Sequence, residues 1–318
     1  MKRLLKILLT IFISLVVIIA GLWAFISYRS SHYFDFVTTD KPIEAKYTAP
    51  GPHEVSYVEF DADNVVFKNY DVWYPSDIKQ STSPVPLIVI ANGTGSTALT
   101  YKAIFKHLAS WGFIVVGNAD ENSRTGASSA ASLNFMLRLN QDQQSNFYGK
   151  IDTDHIGITG HSQGGVAVIN AVTQQQNGHY YKAMFTASAT SSFWGQKNQL
   201  GEDWSYDVTK VNIPYFMVAG TGAFDAGTAT DISAQKGQGI APLWSLNTNY
   251  AHIPDSVTKV MARRVHADHG DMMTHADAYM IAWFMYWLQN DQQAGNAFFG
   301  KNAEILTNAN WQNIRKNN

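Results

Sequence analysis

Ser162 stands in the run Ile156-Gly157-Ile158-Thr159-Gly160-His161-Ser162-Gln163-Gly164-Gly165, where an apolar stretch breaks into a glycine-flanked serine. The pattern G-x-S-x-G can force a serine into a tight strand-to-helix turn with its hydroxyl exposed at the edge of a sheet. Gly160 and Gly164 are needed there because the turn is strained and any side chain would meet the neighbouring strand or helix. A serine hydroxyl is a weak nucleophile at neutral pH and needs a histidine base, itself oriented by a carboxylate, in the chain order Ser, Asp or Glu, His. His266, His269 and His275 lie late enough. His269 is the first choice, because the glycine after it permits a loop that turns the imidazole toward Ser162. His266 is the reserve, and His275 reads as a capping or surface residue. The acid is expected just past the apolar run 215–219, where Asp225 is the nearest carboxylate and Asp231 its competitor. Glu202, Asp203 and Asp207 precede that run and read as solvated loop charges. His161 adjoins the nucleophile, but neighbouring side chains at such a turn diverge, so it is expected to line the pocket or to pack.

Acyl chemistry at Ser162 also needs N–H donors aimed at the oxyanion, each lowering the barrier by about 3 kcal/mol. One is expected from Gln163, the residue after the nucleophile, and the other from the loop Asn92-Gly93-Thr94-Gly95-Ser96, with Thr94 as donor. That glycine loop lacks the Lys-Ser/Thr ending of a P-loop and the G-x-G-x-x-G of a dinucleotide site, which leaves a phosphate cradle weakly supported. His266, Asp268, His269, Asp271 and His275 crowd together as a rival metal-ligating set. Arg264 stands where the first histidine of a binuclear zinc motif would fall, so no metal is expected.

These side chains need elements to hold them. Residues 55–60 and 65–74 read as two strands joined by a turn-prone Asp-Ala-Asp-Asn. Residues 86–91 and 113–116 are short apolar runs of the kind buried on both faces of a sheet. Ser96 is expected to cap a helix carrying Leu99, Ile104, Phe105 and Leu108 that stops at Trp111-Gly112. A helix through Leu133 and Leu139, the strand leading to Ser162 and a helix from Val166 to Val172 follow. Residues 183–186, 215–219 and 257–265 read as further strands, and 278–288 as a final apolar, aromatic-rich helix. Strands alternating with helices mean βαβ units and a mostly parallel sheet. Two polar inserts, 191–211 and 221–255, interrupt the rhythm and are expected to rim the pocket.

The chain of 318 residues is 46% hydrophobic and 15% charged, enough for one substantial core. A formal net charge of −2, with no dense basic cluster beyond the N-terminus, argues against a nucleic-acid partner. With no cysteine, disulfides, thiolate metal sites and cysteine nucleophiles are all removed. Lys2, Arg3 and Lys6 precede an uncharged apolar stretch, 7–26, about long enough to cross a bilayer at ~20 residues. Leu22-Trp23-Ala24 matches a signal-peptidase site poorly, so residues 1–29 read as an uncleaved signal anchor. The basic flank keeps the N-terminus cytoplasmic and sends the body outward across a cell membrane it spans once. Residues 30–53, with Pro42, Pro50, Gly51 and Pro52, read as a stalk, and 54–318 as the catalytic domain.

The runs Tyr70-Asp71-Val72-Trp73-Tyr74-Pro75, Ile88-Val89-Ile90-Ala91-Asn92-Gly93, 107–116 and Gly160-His161-Ser162-Gln163-Gly164-Gly165 together resemble the α/β-hydrolase superfamily. Within it the chain is similar to the branch of dienelactone-hydrolase-like, chlorophyllase-like, cutinase-like polyester hydrolase and platelet-activating-factor acetylhydrolase proteins, over about 54–288. The resemblance implies the α/β-hydrolase fold with a mostly parallel eight-stranded sheet flanked by helices. It also implies a Ser–His–Asp triad and cofactor-free hydrolysis of small-molecule or lipid-like carboxylic esters, with roles falling on Ser162, His269 and Asp225 and on Thr94 and Gln163. Trp194, with Phe193 and Trp204 nearby, stands where relatives place aromatic substrate contacts. Asn92-Gly93 replaces the usual His-Gly, Asp225 lies farther past its strand than is common, and serine in place of cysteine argues against dienelactone hydrolase chemistry. The reading is a membrane-anchored serine esterase; the alternatives are an acyltransferase or amide or thioester hydrolase with the same triad, or a catalytically silent anchored binding protein.

Overall fold

Nine strands form one sheet among residues 2–317, which the computed structural model describes. They are β1 (Val55–Asp61), β2 (Asn69–Pro75), β3 (Val85–Ala91), β4 (Ile114–Asn118), β5 (Ile151–His161), β6 (Tyr181–Ala187), β7 (Tyr215–Gly220), β8 (Lys259–Arg264) and β9 (Trp311–Lys316), in spatial order β1-β2-β4-β3-β5-β6-β7-β8-β9. From β4 across to β8 every pairing is parallel, whereas β1, β2 and β9 join antiparallel at the two edges. Leu87 to Ile90 of β3 and Ile114 to Val116 of β4 are almost fully buried, as continuous apolar runs demand in a sheet covered on both faces.

The α-helices among the described residues are α1 (Lys2–Ser31), α2 (Pro42–Thr48), α3 (Lys102–Ser110), α4 (Ala127–Gln141), α5 (Gln163–Thr173), α6 (Ala223–Ala226), α7 (Leu243–His252), α8 (Met272–His275), α9 (Asp277–Gln289) and α10 (Gln292–Gly295). Leu133, Met136, Val168 and Leu246 of α4, α5 and α7 share one apolar cluster with Leu87, Val89, Ile156 and Ile158 of the sheet. The opposite face is covered by α3 and α9: Phe105 packs at a tilt against Trp73 with ring centroids 4.6 Å apart, and a Cβ on Gly157 would lie 2.8 Å from Phe284. The α3 helix is led in by a 3₁₀ turn, Ala98–Tyr101, whose cap is Thr97 in a reciprocal capping box with Thr100, rather than Ser96.

Three features depart from the sequence reading. The sheet has a ninth strand, because β9 is a polar edge strand whose only buried hydrophobic residue is Trp311. Residues 65–68 lie outside β2. The third departure concerns the proposed stalk. The chain divides into two units, Met1–Val37 and Thr38–Asn318, so residues 38–53 belong to the body. Pro42 opens α2 at its first turn, where a missing N–H costs nothing. Glu304 accepts from the Ile43 and Glu44 amides at 2.7 and 2.9 Å, and the buried Glu44 carboxylate accepts from Trp311 Nε1 at 2.8 Å and Asn308 Nδ2 at 2.8 Å.

In the first unit, α1 is a 30-residue helix with no buried residue and a mean hydropathy of 2.8 over its most apolar window. At 1.5 Å per residue such a helix exceeds the ~30 Å hydrocarbon core. It is long and apolar enough to cross a membrane or to serve as a signal sequence.

In the body, the chain leaves β3 to one side for β4 and then returns to the other side for β5. The carboxyl ends of β3 and β5 therefore flank a switch in strand order, where open α/β sheets form their crevices.

Candidate active site

Ser162 sits at that switch, between the end of β5 and the first turn of α5. Its backbone, at φ 61° and ψ −123°, is held in a region that non-glycine residues rarely adopt, at a cost of about 1–3 kcal/mol. Three hydrogen bonds hold it there: Ser162 N donates to Ala187 O at 3.0 Å, and Ser162 O accepts from Gly165 N at 2.9 Å and Thr190 N at 3.2 Å. The flanking glycines are obligatory. A Cβ on Gly160 would lie 2.4 Å from Gly164 O, and one on Gly164 would lie 2.3 Å from Ala91 O.

The structure brings His269 and Asp225 to this serine. His269 Nδ1 lies 2.7 Å from Asp225 Oδ1, and a carboxylate can only accept, so the proton is on Nδ1. The bare Nε2 then faces Ser162 Oγ at 2.9 Å and can take its proton. The other oxygen of Asp225 accepts from Gly220 N at 2.6 Å and from Ser188 Oγ. This carboxylate is fully buried and every lone pair it uses is directed. Asp231, the competing acid, is exposed and bonds instead to Ser233. His266 is exposed and its amide donates to Thr221 Oγ1, while His275 Nδ1 donates to Asp271 O at 3.0 Å.

Asp268, from the proposed metal-ligating set, has a different use. Its carboxylate accepts from the amides of Phe224, Asp225 and His269 at 3.1, 2.8 and 2.8 Å, which ties the loop of the acid to the loop of the base. Partial burial works to raise its pKa, but those three amides outweigh it and hold the carboxyl below its ordinary range.

His161 faces the cleft and supports the base loop. Its Nε2–H donates to His269 O at 2.7 Å, with the two rings 4.6 Å apart. Burial, reinforced by the neighbouring His269, pulls its pKa down to about 4, so the ring is neutral and Nδ1 is an acceptor for Tyr101 Oη at 3.4 Å. Tyr101 Oη also accepts from Gly93 N at 3.2 Å and so links the glycine loop to His161.

Thr94 lines the cleft beside Ser162, and Gln163 begins α5. Neither amide donates to another described residue, so both remain open to a ligand oxygen. The loop carrying Thr94 is fastened by Asn92, whose Nδ2 donates to Asn118 O at 2.8 Å and Asp120 O at 2.9 Å, while Asn92 O accepts from Ser123 Oγ at 2.6 Å. The Gln163 side chain is clamped between Arg124 Nη1 at 3.0 Å and Glu121 O at 3.1 Å.

Both polar inserts rim a cleft of about 420 Å³ over Ser162. The first supplies Leu200 and Trp204, the second Phe224 and Ile240. Arg124 stacks its guanidinium 5.3 Å from the Trp204 ring centre and pairs with Asp203, which fixes the first wall. Trp194 is not among the residues that line the cleft: its Nε1–H donates to Gly239 O at 3.1 Å, one residue before Ile240. Of the aromatic residues of the first insert it is Trp204, ten residues on, that lines the cleft. Tyr101, Arg124 and Ser188 escaped the sequence reading, because each acts through a contact between distant segments. Asp268 was read only as a rival metal ligand, although it stands one residue from His269.

A family model for PET hydrolase-like proteins matches residues 36–317. No curated protein matches the chain.

Proposed function

Because the chain belongs to the PET hydrolase-like family, ester hydrolases of α/β-hydrolase type, we propose that it is a serine esterase acting through Ser162, His269 and Asp225. The observation that carries this reading is the hydrogen-bonded series Asp225–His269–Ser162, with Ser162 in a strained turn next to two unengaged amides. His269 Nε2 takes the Ser162 proton as Oγ attacks the ester carbonyl, and Asp225 stabilises the imidazolium that forms. The Thr94 and Gln163 amides receive the developing oxyanion. His269 then returns the proton to the leaving alkoxide, and water, activated by the same imidazole, releases the acid and regenerates Ser162. No cofactor takes part.

The walls of Leu200, Trp204, Phe224 and Ile240 favour an ester with an apolar or aromatic acyl group. Helix α1 is the single-pass anchor in this reading, with the body on the extracytoplasmic side, since Lys2, Arg3 and Lys6 outnumber Arg29 on the other flank. The test is a fluorophosphonate probe applied to the full chain beside Ser162→Ala and His269→Ala, with turnover of a chromogenic aryl ester measured in parallel. The full chain should label and turn over. Both variants should lose turnover by at least about 10³-fold, and Ser162→Ala should not label. Equal labelling of Ser162→Ala, or no labelling of the full chain, overturns the assignment.

A further inference from the structure

A second cavity, of about 620 Å³, is lined by Ala226 at the end of α6 and shares no lining residue with the catalytic cleft. Its walls are the first turn of α7, with Leu243 and Trp244, and the loop after α6, with Thr228 and Ile232. Arg263 of β8 reaches it from the sheet with only 8% of its surface exposed. The Arg263 Nε–H donates to Gly220 O at 3.0 Å, but its two terminal nitrogens make no hydrogen bond to another described residue. Among the described residues no carboxylate lies within ion-pairing distance of it. Burial lowers the guanidinium pKa, and the charge of Asp225 opposes that shift. A guanidinium remains protonated in proteins, so this cavity holds a cation with donors to spare.

The same cavity has a second feature that favours an anion. Helix α7 is ten residues long, and Pro242 stands at its N-cap with no side chain capping the first turn. Ser245 N and Leu246 N turn back to Pro242 O, which leaves the amides of Leu243 and Trp244, at the positive end of the helix dipole, in the residues that build this wall. Asp231, the acidic residue of the lining, already accepts from Ser233 N at 2.8 Å and Ser233 Oγ at 2.6 Å.

We propose that this cavity is a binding site for a small organic carboxylate with an apolar body, its carboxylate paired with the fork of Arg263 and its body against Ile232, Leu243 and Trp244. A planar carboxylate matches the two parallel N–H groups of a guanidinium. Inorganic phosphate would leave the apolar wall uncovered. An organic acid is also what an ester hydrolase releases. Because Arg263 holds Gly220, whose amide holds Asp225, an occupant would sit on the frame that positions the triad acid.

Calorimetric titration of the detergent-solubilised full chain with benzoate tests this, alongside Arg263→Gln, Thr248→Glu and Leu200→Glu. Thr248 is an exposed lining residue of the second cavity and Leu200 an exposed one of the catalytic cleft, so the two glutamates place the same repelling charge in one cavity or the other. Benzoate should bind saturably, with affinity falling at least about tenfold in Arg263→Gln and Thr248→Glu and staying within about twofold in Leu200→Glu. Phosphate at matched ionic strength should not displace it. The proposal is overturned if benzoate does not saturate at millimolar concentration, or if Thr248→Glu binds as the unaltered chain does. Loss of binding in Leu200→Glu, or displacement by phosphate as readily as by a second carboxylate, overturns it too.

Discussion

At Ser162 the hydroxyl gains reach from a backbone that is strained, and the strain is held by hydrogen bonds from β6 and the following loop rather than by the serine itself. The same division of labour extends to the acid. Asp225 is useful because Gly220 N, Ser188 Oγ and His269 Nδ1 aim its oxygens, and Asp268 fixes where its loop meets the loop of the base. Replacing Asp225 by Asn keeps the shape but offers an amide where His269 needs an acceptor, which favours the wrong tautomer. Asp225→Asn should therefore reduce kcat by up to about 10⁴-fold with little change in KM. Asp231→Asn should stay within about twofold of the unaltered chain, and an equal loss in both would sink the assignment of Asp225. That Ser162, His269 and Asp225 would meet was legible in the sequence, because G-x-S-x-G fixes a backbone and the chain order narrows its partners to a few late residues. Which of Phe193, Trp194 and Trp204 reaches the cleft was not, since that depends on how the 191–211 insert folds back over Arg124.

At the level of elements, a buried pair joins three segments that the sequence left separate. His107 of α3 sits with its Nδ1 against the Asp277 carboxylate at the start of α9, while its Nε2 donates to Ala49 O at 2.9 Å just after α2. Both ring nitrogens face acceptors, which calls for the imidazolium. Burial alone would lower its pKa, but the Asp277 charge and the two hydrogen bonds outweigh it, and the pKa is raised. A raised native pKa means stability fully present below the unfolded value of about 6.5 and lost as pH rises through the native one. Denaturant unfolding at pH 6 and pH 9 should show this loss in the unaltered chain. His107→Gln should cost about 3–5 kcal/mol at pH 6 and should flatten that pH dependence. If the variant and the unaltered chain lose equal stability between the two pH values, His107 is not the group responsible. Residues 38–53 read as a stalk because their prolines suggested a loop. The burial of Glu44 and Tyr47 that makes the segment part of the body comes from distant residues, Trp311 of β9 on Glu44 and Asp291 and Trp111 on Tyr47.

For the molecule as a whole, the question is what α1 contributes to an enzyme whose site is assembled entirely from the second unit. Every residue placed at Ser162 lies beyond Thr38, as does every strand of the sheet, and the family match begins at residue 36. The central parallel strands were legible from short apolar runs, because burial on both faces leaves no room for polar alternation. The edge strand β9 hid its role behind Gln312, Asn313, Arg315 and Lys316, the composition that keeps an edge from recruiting another chain. A chain of residues 38–318 should fold without detergent and keep α2 docked through Glu44 and Glu304. Its kcat/KM on a soluble aryl ester should stay within about threefold of the full chain, because α1 supplies no group to the transition state. It should leave the membrane fraction altogether, since an apolar helix of this length provides far more membrane affinity than the body's scattered exposed residues. Flotation of the two chains with lipid vesicles, read beside their turnover, checks both halves of the prediction. A truncated chain that still floats would move the anchor into the body, and one that unfolds would make α1 part of the fold.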